Sequence, residues 1–306
     1  MQSYLLRRSL ITIPVLFLVI SVVFFAFQLI PGDAARMFAG DQAPVEVIER
    51  LRREMGLDRP VMEQYILYWQ RLARGNLGTS FITGRPVTVE IWTRFGNTAQ
   101  LAIVAIMVAT VTGLTMGIIS AINREHFWDY FFSVVSLFGI SIPVFWLALM
   151  MMLLFSIQLG VLPTTGNTSW KHYIMPTFTL SAYSIAYITR MTRSSLLELF
   201  GQDFTRTARA KGLTEVVILV RHVLRNALIP IITVIGLRFG YMMGGAVITE
   251  TIFGWPGLGR LLVTAVTQRD IPVVQGVLLI IATTFVLINL TVDILYAVVD
   301  PRVNYL

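Results

Sequence analysis

Long apolar segments recur along this chain, and polar connections separate them. Because a hydrocarbon core of about 30 Å is crossed by roughly 20 helical residues, the sequence predicts an all-α integral membrane protein with six transmembrane helices. The expected spans are Leu10–Ile30, Thr98–Ile122, Ser133–Leu159, Tyr173–Thr189, Ala227–Thr249 and Ile271–Val292. The first span follows Arg7 and Arg8, but it is too long for a signal-peptide core and has no small-residue cleavage site. We therefore expect it to be an uncleaved anchor.

Charge predicts which side of the membrane each connection faces. Lys and Arg accumulate in short cytoplasmic connections, whereas loops longer than about 60 residues escape this rule. Residues 190–226 contain seven Lys/Arg against three Asp/Glu, and Arg7 and Arg8 precede span one. We therefore expect that connection and both termini, the second with Arg302, to lie in the cytoplasm.

The long connection 31–97 then lies outside, where its nine arginines are nearly balanced by eight acidic residues. Ala43–Met55 and Pro60–Arg74 have the apolar spacing of short amphipathic helices, so this connection is predicted to be a small helical domain. The expected organisation is the first span in residues 1–30, an external loop domain in 31–97 and a five-span core in 98–306.

The basic connection between spans four and five, within residues 190–230, has the pattern of two short helices. Asp203 is positioned to cap a helix over Thr205–Lys211, and Gly212 is positioned to end it in a left-handed turn. Thr214 with Glu215 can begin the next helix. A folded cytoplasmic segment of this kind is a suitable contact surface for a soluble partner.

Composition and missing motifs exclude most other classes. Hydrophobic residues make up 56% of the chain and charged residues 13%, with a mean hydropathy of +0.73. The net charge of +7 comes without a basic run, so nucleic acid is not an expected partner. There are no cysteines, and His126, His172 and His222 have no ligand-like neighbours, so no metal site is expected. No phosphate-binding loop or hydrolase motif is present either, so the chain is not expected to bind ATP in that way or to be an enzyme. If it is a transporter, its energy would have to come from a gradient or from a partner, and the basic connection favours a partner.

Several motifs, in order, make the chain similar to a known family. They are Pro31–Ala34, Met55–Pro60, Gln64–Tyr65, Gly75–Ser80, Arg206–Gly212 with Arg225–Pro230, Phe253–Arg260, Arg269–Pro272, Asp293–Tyr296 and Asp300–Arg302. On these motifs the chain resembles the membrane permease subunits of bacterial ABC importers for dipeptides, oligopeptides and nickel, and glutathione-transporting members look most similar. Where the general coupling motif begins Glu-Ala-Ala, this chain has Arg206-Thr207-Ala208, and the spacing from Gly212 to Pro230 is longer. Both departures resemble the peptide subfamily.

The resemblance implies a function and a set of partners. It implies a multi-pass permease of the bacterial inner membrane that pairs with a second permease, usually a different chain. Two cytoplasmic ATPases would bind ATP and Mg²⁺, and an external solute-binding protein would deliver a dipeptide, an oligopeptide or glutathione. A permease for nickel or a metal chelate is the alternative within the family. A secondary carrier without ATPases is the alternative outside it.

The resemblance also assigns the ATPase-coupling surface. Its residues would be Arg206, Thr207, Ala208, Arg209, Ala210, Lys211, Gly212 and Glu215. Small side chains there would allow close approach of the ATPase, and the cations could pair with its acidic residues. An ordinary cytoplasmic loop is the alternative interpretation.

Two further groups are candidates for the transport path. Gly236, Gly240 and Gly244 share one face of span five, which suits either packing within the subunit or a permease interface along the path. The Gly113–Gly117 pair in span two is interpreted as packing. Arg238 either pairs with Asp293 or a carbonyl, or lines the path and attracts a substrate carboxylate. Trp255, Pro256 and Arg260 form either a rigid interfacial turn or a cap at the outer mouth.

Overall fold

The computed structural model describes residues 2–28, 34–40 and 43–299, and every regular element within these ranges is a helix. The helices are α1 (Gln2–Gln28), α2 (Ala34–Ala39), α3 (Val45–Glu54), α4 (Val61–Ala73), α5 (Val87–Ile122), α6 (Phe127–Ser141), α7 (Val144–Met151), α8 (Lys171–Phe200), α9 (Asp203–Ala210), α10 (Glu215–Val217), α11 (Leu224–Gly245), α12 (Val247–Ile252), α13 (Leu258–Thr267) and α14 (Ile271–Val299). Two π-helical stretches, Met152–Gln158 and Ile218–Val223, extend α7 and join α10 to α11. The all-α prediction is therefore confirmed for the described ranges.

By length and hydropathy, three helices of the described ranges could cross a bilayer: Val87–Ile122, Glu215–Gly244 and Ile271–Ile294. A bent pair of helices, α6 with α7 and its π-helical extension, could form a fourth span. The apolar part of α1, Ile13–Gln28, is shorter, and α8 contains more polar residues. The count of six spans stays a prediction.

The third predicted span, Ser133–Leu159, is wrong as one continuous helix. Phe127–Ser141 and Val144–Gln158 meet at an angle of 102°. Proline has no N–H to donate and disfavours a helical conformation in the residue before it. Ile142, which precedes Pro143, has φ −78° and ψ 123°, an extended conformation. The proline therefore breaks this segment into two helices.

The two helices predicted in the connection 31–97 are present as α3 and α4. The second packs lengthwise against α1: the Phe17 and Trp69 rings stack with centroids 5.0 Å apart, and the Ser21 and Tyr65 hydroxyl oxygens lie 2.6 Å apart. Near the end of α1, Gln28 donates a hydrogen bond of 3.1 Å to Gln64. These contacts cover about three turns of α1, so α4 is packed against α1 and is not separated from it. The external loop domain stays a prediction.

The long helices α5 and α8 pack closely at two glycines. A Cβ on Gly113 would lie 2.8 Å from Cβ of Ile188, and one on Gly117 would lie 2.6 Å from Cβ of Thr192. The glycines let the two helix backbones approach, so the packing interpretation of this pair is confirmed. The parts of the sequence predictions that fall on residues 29–33 and 300–302 lie outside the described residues.

Candidate functional site

The predicted coupling segment contains helix α9, whose bounds differ slightly from the prediction. Gln202, with φ −81° and ψ 157°, precedes the helix, and Asp203 is its first residue rather than its cap. Gln202 therefore occupies the capping position, and its side chain makes no capping hydrogen bond. Gly212 has φ +77°, the left-handed conformation that glycine adopts at low cost, and it ends the turn after α9 as predicted.

One face of α9 packs on the rest of the protein. Thr205 is fully buried, and its Oγ1 lies 2.9 Å and 2.6 Å from the carbonyl oxygens of Phe200 and Gln202. Ala208 is also buried, in an apolar cluster that includes Leu196 and Ile218. The small side chain of Ala208 therefore fits α9 onto its own subunit. The prediction that Ala208 belongs to a partner-contact surface required it to face outwards, so for this residue the prediction is wrong.

The opposite face of α9 is exposed and basic. Arg206, Thr207, Arg209, Ala210 and Lys211 are all exposed. Arg209 binds Glu215 through two hydrogen bonds of 2.7 Å and 3.1 Å, and this pairing raises the pKa of the Arg209 guanidinium. The pair links α9 to α10 across the Gly212 turn. We call the exposed residues of α9 together with Glu215 the coupling surface.

Beside the coupling surface, apolar side chains are also exposed. The exposed fractions are 70% for Val216 and 59% for Val220. Apart from its chain neighbours, no described atom lies within 4 Å of the position that a Cβ on Gly212 would take. Basic, apolar and open positions thus occur close together along this exposed segment, as expected for a contact with another protein.

Asp129, which was not singled out from the sequence, stabilises the connection between α5 and α6. Asp129, buried at the start of α6, receives hydrogen bonds of 2.6 Å and 2.7 Å from Arg193 of α8. Ser120 of α5 donates a third bond of 2.5 Å, and the Glu125 backbone N–H donates a fourth of 3.0 Å. One side chain therefore holds three helices together next to α9.

The turn Phe253–Arg260 is held by several hydrogen bonds, and its tryptophan is buried. Trp255 is fully buried, packs edge-to-face on Tyr173 with centroids 4.6 Å apart, and donates a 3.1 Å bond to the Asn97 carbonyl oxygen. The Asn97 amide donates back to the Pro256 carbonyl oxygen at 2.9 Å. Arg260 reaches the Gly254 carbonyl oxygen at 2.7 Å. The structure therefore has the rigid turn, but the interfacial position of Trp255 is wrong because the ring packs inside the protein.

Glu250 of α12, also not singled out from the sequence, is fully buried, and its carboxylate lies against Gly257 of this turn. Its Oε1 accepts a 2.7 Å hydrogen bond from Thr98, and its Oε2 accepts backbone bonds of 2.7 Å from Gly259 and 3.1 Å from Arg260. The two backbone donors belong to the first turn of α13, where a helix has N–H groups without internal partners. Glu250 thus ties α13 to α5.

The glycines of α11 contact α14, whereas Arg238 of the same helix contacts α8. Side chains of α14 in the same chain, Val292, Phe285 and Ile281, lie against Gly236, Gly240 and Gly244. These three glycines therefore allow close packing of α11 on α14 within the subunit, which agrees with the packing interpretation.

Arg238 instead extends over α8. Its guanidinium carbon lies 4.0 Å from the Tyr187 ring centroid and 5.0 Å from that of Tyr183. In the part of the chain that the structure describes, Nε of Arg238 is buried without a hydrogen-bond partner.

Comparison with known families decides the class of protein. Residues 113–305 match the binding-protein-dependent transport system inner membrane component, and residues 1–102 match the N-terminal region of such membrane components. The chain belongs to this family. It is an ABC importer permease: a transport subunit of the inner membrane rather than a catalyst.

The permease also matches curated relatives along its whole length. It is 43% identical over 305 residues, covering 100% of both chains, to the glutathione transport system permease protein GsiC of Escherichia coli (strain K12). The same values hold for the protein of that name from Shigella dysenteriae serotype 1 (strain Sd197).

Solved structures show the fold of the permease. A chain of the inward-facing MetNI methionine ABC transporter matches with a TM-score of 0.59 at 19% identity, covering 70% of the permease and 97% of that chain. A chain of an amino acid ABC transporter matches with a TM-score of 0.51 at 18% identity, covering 71% and 94%. The permease therefore has the helical fold of ABC importer membrane subunits.

Proposed function

We propose that this permease forms one half of the membrane channel of an ATP-driven importer for glutathione or another short peptide. The observation that carries this proposal is the 43% identity to permeases of glutathione transport systems, which covers 100% of both chains. A secondary carrier would have no use for an exposed basic helix beside apolar side chains on its cytoplasmic connection.

The channel would be completed by a second permease of different sequence. Two cytoplasmic ATPases would bind ATP and Mg²⁺, which this chain does not need to bind, and one of them would contact the coupling surface. A solute-binding protein would deliver its ligand near Trp255, Pro256 and Arg260. In this arrangement the chain crosses the membrane six times, the connection 31–97 is external, and both termini are cytoplasmic.

The contacts around α9 support a mechanical role for it. Exposed cations such as Arg206 and Lys211 suit acidic partners, while the buried Thr205 and Ala208 join α9 to the helices behind it. A displacement of α9 would be passed to α8 and α11 because these elements share one apolar cluster. ATP-driven closure of the ATPases would then switch the path between its inward- and outward-facing states.

Uptake of labelled glutathione tests this function. The permease, its genomic neighbours and their binding protein would be expressed in bacterial cells that lack their own glutathione importer. We expect uptake that requires this chain and stops when ATP is depleted, while dissipation of the proton gradient alone leaves it largely intact. Uptake that follows the proton gradient would favour the secondary carrier. Nickel uptake without glutathione uptake would favour the metal permease.

A further inference from the structure

Arg238 is a cation within the apolar helix α11, and its neighbours do not neutralise it. The guanidinium lies over the rings of Tyr187 and Tyr183, which attract a cation through their π faces. None of the ion pairs between described residues includes Arg238, and its Nε has no hydrogen-bond partner there. A charge inside a membrane protein normally faces water or pairs with an opposite charge. An anion from elsewhere would meet this requirement.

The tyrosines under Arg238 belong to a polar face of α8. Tyr183, Tyr187, Arg190 and Ser194 follow one another at intervals of three or four residues, so they lie on one side of the helix. Tyr187 is 39% exposed, and Arg190 and Ser194 are exposed as well. On α11, Tyr241 is 60% exposed one turn beyond Arg238. A surface with this many polar groups is unsuited to lipid and suits a hydrated path.

A second copy of this chain, packed through the same helices, would not supply an anion to Arg238. Helix α11 contains no acidic residue, and the only one in α8 is Glu198, near its cytoplasmic end. A fixed acidic partner would also leave the second cation, Arg190, unexplained. Two arginines along one face suit an anion that moves past them.

We propose that Arg238, held over Tyr187 and Tyr183, is a carboxylate-binding station on the translocation path. This inference rests on the proposed function and deepens it. The planar guanidinium can donate two parallel hydrogen bonds to the two oxygens of a carboxylate. Every unblocked peptide has such a group at its C-terminus. The station would make the permease itself, and not only its binding protein, selective for peptides with a free carboxylate.

The first test uses the purified importer and a matched pair of small probes, N-acetylglycine and N-acetylglycinamide, which differ only in carboxylate against amide. A ligand that binds the folded state raises the melting temperature. We expect N-acetylglycine to stabilise the wild-type importer, the amide to have no effect, and Arg238→Gln to lose the response. Arg124→Gln is the control, since Arg124 is 63% exposed in the connection between α5 and α6 and the change removes the same charge.

The second test compares uptake of a peptide acid with uptake of its C-terminal amide. Because the binding protein is the same in every variant, changes in the acid-to-amide ratio report on the permease. A hydrogen bond to a charged group is worth roughly tenfold or more in a binding constant. We expect Arg238→Gln to lower the ratio about tenfold, and Arg124→Gln to leave it unchanged.

Several outcomes would overturn the station. They are an equal response to N-acetylglycine in wild type and Arg238→Gln, or an unchanged uptake ratio. If Arg238→Gln does not assemble with the second permease, Tyr187→Ala and Tyr187→Phe replace it. The proposal requires the alanine variant to weaken the carboxylate response and the phenylalanine variant to keep it, and equal responses would reject it. The melting test uses no glutathione, so an Arg238-dependent response without glutathione uptake would refute only the proposed substrate.

Discussion

Replacing Glu250 with alanine tests whether its hydrogen bonds keep the turn Phe253–Arg260 attached to α5. The wild-type carboxylate satisfies the Thr98 hydroxyl and two backbone N–H groups at the start of α13. Alanine removes the acceptor from all three donors, and the Thr98 hydroxyl is shielded from solvent because Glu250 and Thr98 are 0% and 1% exposed. The turn that contains Trp255 would then lose its connection to α5.

The size of the effect follows from these contacts. A buried donor without an acceptor costs about 1–3 kcal/mol, and the Arg260 N–H is only partly buried, so it can find water. We therefore expect Glu250→Ala to destabilise the permease by roughly 3–5 kcal/mol. Glu250→Gln keeps the shape and can accept from the backbone while donating to Thr98, so about 1 kcal/mol is expected.

Thermal unfolding of the purified permease in detergent measures the difference between the two variants. A second pair of variants tests the geometry. A Cβ on Gly257 would overlap the Glu250 carboxylate, so Gly257→Ala should destabilise the wild type by about 1–3 kcal/mol. In the Glu250→Ala background the same change should cost clearly less, giving a non-additive double-mutant cycle. Equal melting temperatures for Glu250→Ala and Glu250→Gln, with an additive cycle, would refute the reasoning.

Three further predictions concern the cytoplasmic side and the topology. Gly212→Leu should lower uptake, because the left-handed turn would cost about 1–2 kcal/mol of stability and the larger side chain would block contact with the ATPase. Gly212→Asn, which tolerates left-handed φ, should keep most of the uptake. Equal uptake by the two variants would contradict this. Asp129→Asn should lower the melting temperature through a loss of roughly 2–3 kcal/mol at the Arg193 pair; an unchanged melt would contradict it. A cysteine at Thr83 should react with an impermeant thiol reagent from outside and one at Glu125 only after membrane permeabilisation; the reverse labelling would invert the topology.

The helices were predictable from the sequence wherever a local pattern determines them. Apolar length indicated the segments around α5, α11 and α14, and the glycine at 212 indicated the end of the α9 turn because its conformational freedom is a local property. The bend at Pro143 was missed even though proline predicts it locally, because the apolar run continues across the break. Hydropathy alone does not register a helix end inside such a run.

The anchoring carboxylates could not be predicted, because their partners are distant in the chain. Glu250 binds Thr98 across 152 residues, and Asp129 binds Arg193 across 64. No spacing rule connects such pairs. A partial signal did exist: an acidic residue at the edge of an apolar segment requires partners, and both residues stand there. The ring contacts of Arg238 were also missed, although the two tyrosines lie one helical turn apart on α8.

The two buried carboxylates suggest how the permease combines a rigid body with moving ends. Each ties a connection to α5: Asp129 through Ser120 near the C-terminal end of the helix, and Glu250 through Thr98 in its N-terminal half. Helix α8 packs along α5 with glycines at the contact and also binds Asp129 through Arg193. A force on α9 would therefore reach the turn Phe253–Arg260 through the closely packed pair of helices α5 and α8. In that case Glu250→Ala should lower transport more than it lowers assembly with the second permease, because the turn Phe253–Arg260 would no longer move together with α5.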